Sequence, residues 1–426
     1  MTDQPAAAPL ANAANGDDDA ANGNDAGKTA TRRPAAAEIA QSQQRWRHER
    51  RYLNQHRHEL TLALAHLYPD GPRVAGTQLM ARPEWRLAGP VPLEDVRLSW
   101  RPGPLTTVVD PVRPAGSEGV RPWRDDGQRF GSYADALAAL DPPRVLENRT
   151  CYRLLRAEAN PNPGANPTPG ANPNPGPELT FGPNRYFDVV NLSEAVAHEA
   201  AAQVLRQPRQ ELNLAALPLR AAIGDPLDLA RRSAPIGIGT LILRRDRDAG
   251  IARMYLHWRD PAGVAVNGGL YQVAPAGMFQ PSDEAEWNVA HDFGLWQAIA
   301  REVSEELLGT SEDYGSDRAP IDYDRWPFFA ALTAARQAGT LHGYTLGVGA
   351  DVLTLDVDLL TVLVFDAAFF DTEFGGLVAA NDEGHLITRP FTAESVERFA
   401  RTEAMQPAGA ALLALAWEHR DVLLNR

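Results

Sequence analysis

The residues best placed to do chemistry are four charged side chains within the six positions Arg301 to Glu306. Around them, apolar residues recur at steps of three and four, which predicts an amphipathic helix. At about 100° per residue, Glu302, Glu305 and Glu306 fall within roughly 100° of one another, away from the apolar stripe. Three carboxylates on one turn repel, and a divalent cation that prefers oxygen ligands would offset this repulsion. A solvated acidic face paired only with Arg301 gives the same spacing, so both interpretations stay open.

This stretch resembles the signature of the Nudix hydrolases. That signature is a glycine, five residues, a glutamate, seven residues, and then Arg-Glu-aliphatic-any-Glu-Glu-any-Gly-aliphatic. Upstream, Pro275-Ala276-Gly277 resembles the Pro-Gly-Gly turn that precedes the family's catalytic helix, and Asp283 and Glu284 lie where the family has its first glutamate. The residues that match in register within the charged core are Arg301, Glu302, Val303, Glu305 and Glu306.

Two features depart from the signature. Seventeen residues separate Asp283 from Arg301 instead of seven, because the chain carries an insertion that includes residues 287–292. The final glycine comes one place late, since Leu308 holds its position and Gly309 follows.

The resemblance implies a pyrophosphohydrolase that acts on an acid anhydride, with a nucleoside diphosphate-linked compound as its nucleotide-type substrate. It implies Mg²⁺ or Mn²⁺ as the cofactor, because these cations take oxygen ligands and bridge to substrate phosphates. The implied metal ligands are Glu302, Glu305, Glu306 and a main-chain carbonyl near Ala276 or Gly277.

The resemblance also assigns catalytic positions to Arg301, Glu302 and Glu305. Within this set, Arg301 is expected to form a structural ion pair with Asp283 or Glu284. Family members often place the general base outside the helix, which makes Glu373 and Glu383 the candidates for that role in this chain. Each of these two residues could equally be an ordinary surface acid.

The chain is predicted to comprise three regions. Residues 1–36 are rich in Ala, Asn, Asp and Gly and are expected to form a disordered tail. Residues 37–232 are expected to form an N-terminal α+β domain, whose role the sequence does not indicate. Residues 233–426 contain strong strand patterns and a strand entering the Gly277 turn before the helix. This context fits the α/β/α sandwich of the Nudix family, so the fold class is mixed α+β and α/β.

Local patterns define several elements. A repeat of Asn-Pro and Pro-Gly pairs fills residues 160–176, which predicts a disordered loop between two paired strands. A long helix with a basic middle is predicted for Ala37 to Leu67, and its solvated face is favoured over a nucleic-acid contact. A run of apolar and β-branched residues after Asp358 predicts a buried central strand.

Composition narrows the class of protein. The net charge of −14 over 426 residues disfavours broad binding to nucleic acid or anionic membrane. Cys151 is the one cysteine, which excludes an internal disulfide and favours the cytoplasm. The sequence contains no uninterrupted run of 18 apolar residues, so no membrane-spanning helix is predicted. Composition does not predict the oligomeric state.

Three functions remain in competition. The chain could be a metal-dependent hydrolase, as the charged core suggests. It could be a Nudix-like sensor that binds a nucleotide without cleaving it, since the motif departs from the signature at both ends and a large partner region precedes it. It could also be an interaction protein with a degenerate site. Fold resemblance alone does not separate these functions.

Overall fold

The computed structural model describes residues 32–68, 72–103, 106–143, 145–159, 176–259, 269–375, 380–381 and 384–425. The predicted disordered tail at 1–36 lies outside the described residues up to residue 31. The predicted disordered loop at 160–176 lies outside them up to residue 175.

The helices of the described residues occur throughout the chain. They are α1 Ala36–Gln55, α2 Arg57–Ala65, α3 Tyr133–Leu140, α4 Tyr186–Val189, α5 Ala195–Arg206, α6 Pro218–Ile223, α7 Glu286–His291, α8 Leu295–Leu308, α9 Pro327–Ala338, α10 Ala367–Glu373, α11 Ala393–Glu397, α12 Pro407–Glu418 and α13 Arg420–Leu424. None of these helices has both the length and the apolar character needed to cross a lipid bilayer.

The strands alternate with these helices, which makes the fold mixed α/β. They are β1 Leu79–Met80, β2 Arg86–Pro92, β3 Arg97–Trp100, β4 Thr150–Glu158, β5 Glu178–Arg185, β6 Ile236–Asp246, β7 Ile251–Arg259, β8 Tyr271–Val273, β9 Ala276–Met278, β10 Leu341–Asp351, β11 Val357–Asp366, β12 Ala380–Asn381 and β13 Gly384–Pro390.

Ten of the described strands form the main sheet, in the order β1-β10-β11-β6-β7-β13-β12, with β2 also on β10, β8 on β7 and β9 on β6. Within it, β6 and β11 run parallel, from Ile236 opposite Val357 to Arg245 opposite Asp366. Strand β11 is buried along almost its whole length, which confirms the predicted central strand. The strand ends at Asp366, and helix α10 follows directly.

A smaller sheet of the order β3-β5-β4 stands beside the main one. Strands β4 and β5 pair antiparallel, which confirms that the strands on either side of the Asn/Pro/Gly repeat are partners. Strand β4 also donates from the Tyr152 amide to the Phe279 carbonyl at 3.0 Å and from the Leu154 amide to the Ala234 carbonyl at 2.9 Å. The small sheet is therefore bonded to the segments next to β6 and β9.

Residues before and after position 232 meet in the main sheet. Strands β1 and β2 pair with β10, although they precede it by more than two hundred residues. Trp46, Leu154 and Leu363 belong to one hydrophobic cluster. The division of the chain into separate domains at 232 and 233 stays a prediction.

The predicted helix from Ala37 to Leu67 is two helices. The chain leaves helical geometry at His56, where φ is −128° and ψ is 27°, so α1 ends at Gln55 and α2 begins at Arg57. Arg50 and Arg57 lie on either side of this break and are both buried. The prediction of a solvated basic face is therefore wrong for these two residues.

Their counter-charge is Glu194, which comes from the turn before α5. Arg57 Nη2 donates to Glu194 Oε2 at 2.8 Å, and Arg50 Nη1 donates to the same oxygen. Burial alone would raise the pKa of Glu194, but the charges of Arg57 and Arg50 lower it to about 2. This buried trio joins α1 and α2 to α5.

Replacement of Glu194 by Gln is expected to lower the free energy of unfolding by about 3–5 kcal/mol at pH 7, because two buried arginine charges lose their partner. The wild type should lose this contribution as the pH falls from about 4.3, the ordinary pKa of a glutamate, towards 2. Urea unfolding at pH 7 and at pH 3 measures both effects. A variant as stable as the wild type at pH 7 would contradict the assignment.

Candidate functional site

Helix α8, Leu295–Leu308, carries the predicted acidic residues. Its apolar positions recur at helical spacing and are buried, among them Ile299, Val303 and Leu307. The helix ends at Gly309, whose φ of 65° is left-handed and whose amide donates to the Glu305 carbonyl at 3.1 Å. A glycine just past the last helical residue is a common helix end. The predicted helix is confirmed, and the displaced glycine is its C-terminal cap.

The turn expected at Pro275-Ala276-Gly277 is wrong for Ala276 and Gly277, while Pro275 lies in the bend that precedes them. Ala276–Met278 form strand β9, which pairs antiparallel with β6 and places Gly277 opposite Ile238. The ladder continues on both sides, because the Thr240 amide donates to the Pro275 carbonyl at 2.8 Å and the Phe279 amide donates to the Ile236 carbonyl at 2.9 Å. Pairing with a distant strand therefore keeps this glycine-containing segment extended.

Glu302 and Glu306 lie against strand β9. A Cβ atom on Gly277 would lie 2.1 Å from the carboxylate carbon of Glu302, so the absence of a side chain at Gly277 makes room for this carboxylate. Glu306 Oε1 accepts a hydrogen bond from the Ala276 amide at 3.0 Å. The structure thus brings together Gly277, Glu302 and Glu306, which were predicted to be metal ligands.

Glu305 points towards the segment that follows α8. Tyr314 donates its hydroxyl to Glu305 Oε1 at 2.7 Å. Sequence reasoning missed Tyr314, because nothing in the spacing of a tyrosine nine residues away marks it as a partner. The third predicted ligand is therefore held on the same turn as the others, with a protein hydrogen bond of its own.

Glu305 and Glu306 raise the cost of ionising Glu302. Burial and then the charges of Glu305 and Glu306 raise the pKa of Glu302 well above its usual range. Burial also raises the pKa of Glu305, and the hydrogen bond from Tyr314 opposes that rise. The turn of α8 is thus a place where a cation would be stabilised.

Within the described ranges, no group of three or more His, Cys, Asp or Glu side chains is arranged to hold a metal ion. Glu305 and Glu306 are directed instead at Tyr314 and at the Ala276 amide. The carboxylate oxygens are the donor type that Mg²⁺ and Mn²⁺ take, and they lie on one helical turn. The ligand roles of Gly277, Glu302, Glu305 and Glu306 stay predictions.

Arg301 pairs with Asp292, so the expected pairing with Asp283 or Glu284 is wrong. Arg301 Nη1 lies 3.5 Å from Asp292 Oδ1 and donates to the Tyr323 hydroxyl at 2.5 Å, while Nη2 donates to the Gln280 carbonyl at 2.7 Å. The Tyr323 hydroxyl donates in turn to Asp292 Oδ1 at 2.7 Å. Arg301 is 5% exposed and Asp292 is fully buried.

The insertion explains this exchange of partners. Part of it folds as α7, and the chain then returns Asp292 to the beginning of α8. Asp292 Oδ2 accepts hydrogen bonds from the amide and hydroxyl of Ser282 at 2.7 and 2.6 Å. Glu284 turns away to Arg185, 2.6 Å from its Nη1. Sequence spacing could not show that the insertion supplies the acid, because its path depends on tertiary contacts.

The insertion also contacts the segment that carries Tyr314. Trp287 Nε1 and Asn288 Nδ2 both donate to the Ser316 carbonyl, at 3.2 and 3.0 Å.

Among the candidates for the general base, Glu373 is the last residue of α10, which packs on β6 and β11. Glu383 lies outside the described residues. The role of either as base stays a prediction.

A cavity of about 270 Å³ lies behind strand β9, and sequence reasoning missed it. Its lining includes Ala276–Met278 and the carboxylates of Asp351, Asp356 and Asp358. Burial, followed by the charges of Asp356 and Asp351, raises the pKa of Asp358 to about 8. Strand β9 takes part in both sites, because Gly277 lines this cavity and also makes room for the carboxylate of Glu302.

Replacement of Asp292 by Asn is expected to destabilise the protein by about 3 kcal/mol, because a buried arginine loses its counter-charge. Asp283→Asn is the matched control, since Asp283 accepts a local hydrogen bond from the Ala285 amide at 3.3 Å and should change stability by less than about 0.5 kcal/mol. Chemical unfolding of both variants measures the difference. A larger loss for Asp283→Asn would restore the pairing first expected for Arg301.

Replacement of Asp358 by Asn is expected to raise the melting temperature more at pH 9 than at pH 5. The folded-state pKa of Asp358 is raised to about 8, against about 3.9 when unfolded, so its stability contribution is lost as the pH rises through 8. Asn removes the ionisation that folding disfavours. Thermal melts of both proteins at the two pH values should differ by roughly 2 °C or more. An equal shift at both pH values would contradict this reading of Asp358.

Comparison with known proteins does not assign the chain to a family. No family model matches the chain, and no curated protein matches it. Among solved structures, it is similar to the crystal structure of a MutT/nudix family protein from Enterococcus faecalis, with a TM-score of 0.25 and 10% sequence identity. The alignment covers 45% of this chain and 63% of that chain. So low a TM-score does not establish a shared fold.

Proposed function

We propose that the chain is a Nudix-type, metal-dependent hydrolase of a nucleoside diphosphate-linked compound. The observation that carries the proposal is the contact between α8 and β9, where Glu302 packs on Gly277 and Glu306 accepts from the Ala276 amide. Glu305 lies on the same helical turn. These are the positions at which the sequence resembles the Nudix signature.

The proposed chemistry is attack of water on one phosphorus of a diphosphate. Bound Mg²⁺ or Mn²⁺ would shield the phosphate charge and lower the pKa of the attacking water. Glu302, Glu305 and Glu306 would hold the cation, together with the main chain at Gly277. The raised pKa of Glu302 supports this assignment, because burial and then the charges of Glu305 and Glu306 outweigh the opposing charge of Arg301, and a bound cation would favour the ionised carboxylate.

We assign Arg301 a positioning role within this proposal. Its guanidinium is buried and is engaged by Asp292, Tyr323 and the Gln280 carbonyl, so it does not reach a substrate. It fixes the turn of α8 that carries Glu302 and Glu305. The proposal also includes the Nudix α/β/α arrangement for residues 233–426, a nucleotide-type ligand and a cytoplasmic location.

A second candidate is a nucleotide sensor that binds without cleaving. The observation that favours it is the engagement of Glu305 and Glu306 by Tyr314 and the Ala276 amide, which competes with a cation for the same oxygens.

Replacement of Glu305 by Gln is expected to lower hydrolysis by roughly 100-fold, because one charged metal ligand is lost while the fold is kept. The assay is a panel of ADP-ribose, NAD-like compounds and nucleoside triphosphates with Mg²⁺ or Mn²⁺. Glu286→Gln, an exposed acid on α7, is the matched control and should retain full activity.

Two other outcomes would decide against hydrolysis. Turnover of none of these compounds by the wild type would contradict the hydrolase proposal. Isothermal titration that shows binding of one of them without product would favour the sensor. Absence of both turnover and binding would leave neither function standing.

A further inference from the structure

The carboxylates of α8 have a fourth acidic neighbour. Glu312 follows the helix. Burial and the charges of Glu305 and Glu306 raise the pKa of Glu302, and the charge of Glu312 adds to this rise. Burial also raises the pKa of Glu305, and the charge of Glu312 adds to that rise as well. Its side chain is 70% exposed. An anionic ligand that approaches this surface meets four acidic groups, so a cation from the protein, in addition to any bound metal, would favour its binding.

Arg301 is the nearest arginine in sequence, but it cannot serve this purpose. Its guanidinium is occupied on both terminal nitrogens by buried partners, Asp292 and Tyr323 on one and the Gln280 carbonyl on the other. A ligand could reach it only by breaking this buried network, which would leave Asp292 without its counter-charge.

Arg149 is placed differently. It comes from the segment before β4, its side chain is 27% exposed, and its charge lowers the pKa of Glu305. Arg149 Nη1 lies 3.2 Å from Glu312 Oε2, and Nη2 donates to the Ser282 carbonyl at 3.4 Å. Ser282 belongs to the loop after β9, and Glu312 to the segment after α8. Arg149 therefore lies between the two loops that border the carboxylates.

We propose that Arg149 binds a phosphate group of the substrate, so that the region before residue 232 supplies the anion-binding residue of the site on α8. This inference rests on the proposed function. Guanidinium binds phosphate through paired hydrogen bonds, and its charge persists at any physiological pH. Glu312 holds the guanidinium in place before the ligand arrives, and the phosphate then takes over the ion pair.

The exchange is balanced in charge and hydrogen bonds. Glu312 leaves Arg149 for water, which costs little because its side chain is mostly exposed, and the second carboxylate near Arg149, Glu147 Oε2 at 3.9 Å from Nε, can stay in place. One phosphate takes the place of Glu312. The contact of Nη2 with Ser282 can persist through the exchange, so the arginine remains oriented by the loop after β9.

The test uses the full chain, saturating Mg²⁺ and methylenediphosphonate, a pyrophosphate analogue that is not hydrolysed. Arg149→Met should weaken its binding about 10-fold or more in isothermal titration, as loss of a charged hydrogen-bonded pair implies. Mn²⁺ affinity, followed by electron paramagnetic resonance, should stay within about 2-fold of the wild type, since the ligand glutamates are unchanged.

Glu312→Gln gives the opposite readout, because it frees Arg149 Nη1 and should tighten methylenediphosphonate binding about 3-fold. Since this substitution also removes a negative charge that repels the ligand, the gain supports the role of Arg149 only if the double variant Arg149→Met/Glu312→Gln shows no such gain over Arg149→Met. Arg185→Met is the matched control. Arg185 is also an arginine of the small-sheet region, 47% exposed, but it is paired with Glu284 and should affect binding less than 2-fold.

The outcomes separate the two claims. If Arg149→Met binds methylenediphosphonate as tightly as the wild type, and Glu312→Gln binds it no more tightly, the role of Arg149 is overturned. The proposed function would then remain intact. A wild type that binds neither Mn²⁺ nor methylenediphosphonate would overturn the proposed function, and the role of Arg149 with it.

Discussion

The buried ion pair between Arg301 and Asp292 is the constraint on which the site depends. A guanidinium that is 5% exposed must be fully partnered, since an unpaired buried charge costs several kcal/mol. Its partners come from different segments: Asp292 from the insertion, Tyr323 from the segment before α9, and the Gln280 carbonyl from the loop after β9. One side chain thereby fixes α8 against three neighbours, and with it the orientation of the glutamates.

Strand β9 provides the second constraint. Because its hydrogen bonds to β6 hold it extended, the bare face of Gly277 is presented to Glu302, and the Ala276 amide is left to donate to Glu306. The same strand lines the cavity that contains Asp358. One short strand thus contacts two groups of carboxylates, those of α8 and those of the cavity.

Local patterns predicted much of the framework and little of its pairing. The three- and four-residue period located α8, the apolar run located β11, and Ser132 caps α3 by accepting from the Asp135 amide at 3.0 Å, as its residue type suggests. By residue type, the run from Tyr186 to Val190 favours a strand, but Tyr186–Val189 are helical. So short a run shows no clear period that would separate a helix from a strand.

The remaining failures concern contacts between distant residues. The strand at Gly277 forms because of β6, the burial of Arg50 and Arg57 is made possible by Glu194, and the partner of Arg301 comes from an insertion that the signature lacks. Gly277 and β6, and the two arginines and Glu194, are too far apart in sequence to share a local window, and the short spacing of Asp292 and Arg301 does not show that the chain brings them together. A single sequence can therefore indicate which residues carry charge at the site, but the identity of their partners comes from the fold.

The partners of the glutamates also determine whether the site favours hydrolysis of a nucleotide or binding without cleavage. Since Arg301 holds the backbone of α8, a cation could gather Glu305 and Glu306 only by rotating their side chains. Each rotation would give up one hydrogen bond to a charged group, from Tyr314 or from the Ala276 amide, at about 1.5–3 kcal/mol. The electrostatic relief at Glu302 acts in the opposite direction, because a divalent ion would offset the charges that raise its pKa. The function thus depends on whether the electrostatic gain at Glu302 exceeds the free energy lost with the two hydrogen bonds. Both changes involve side chains alone, because Arg301 already fixes the position of the helix.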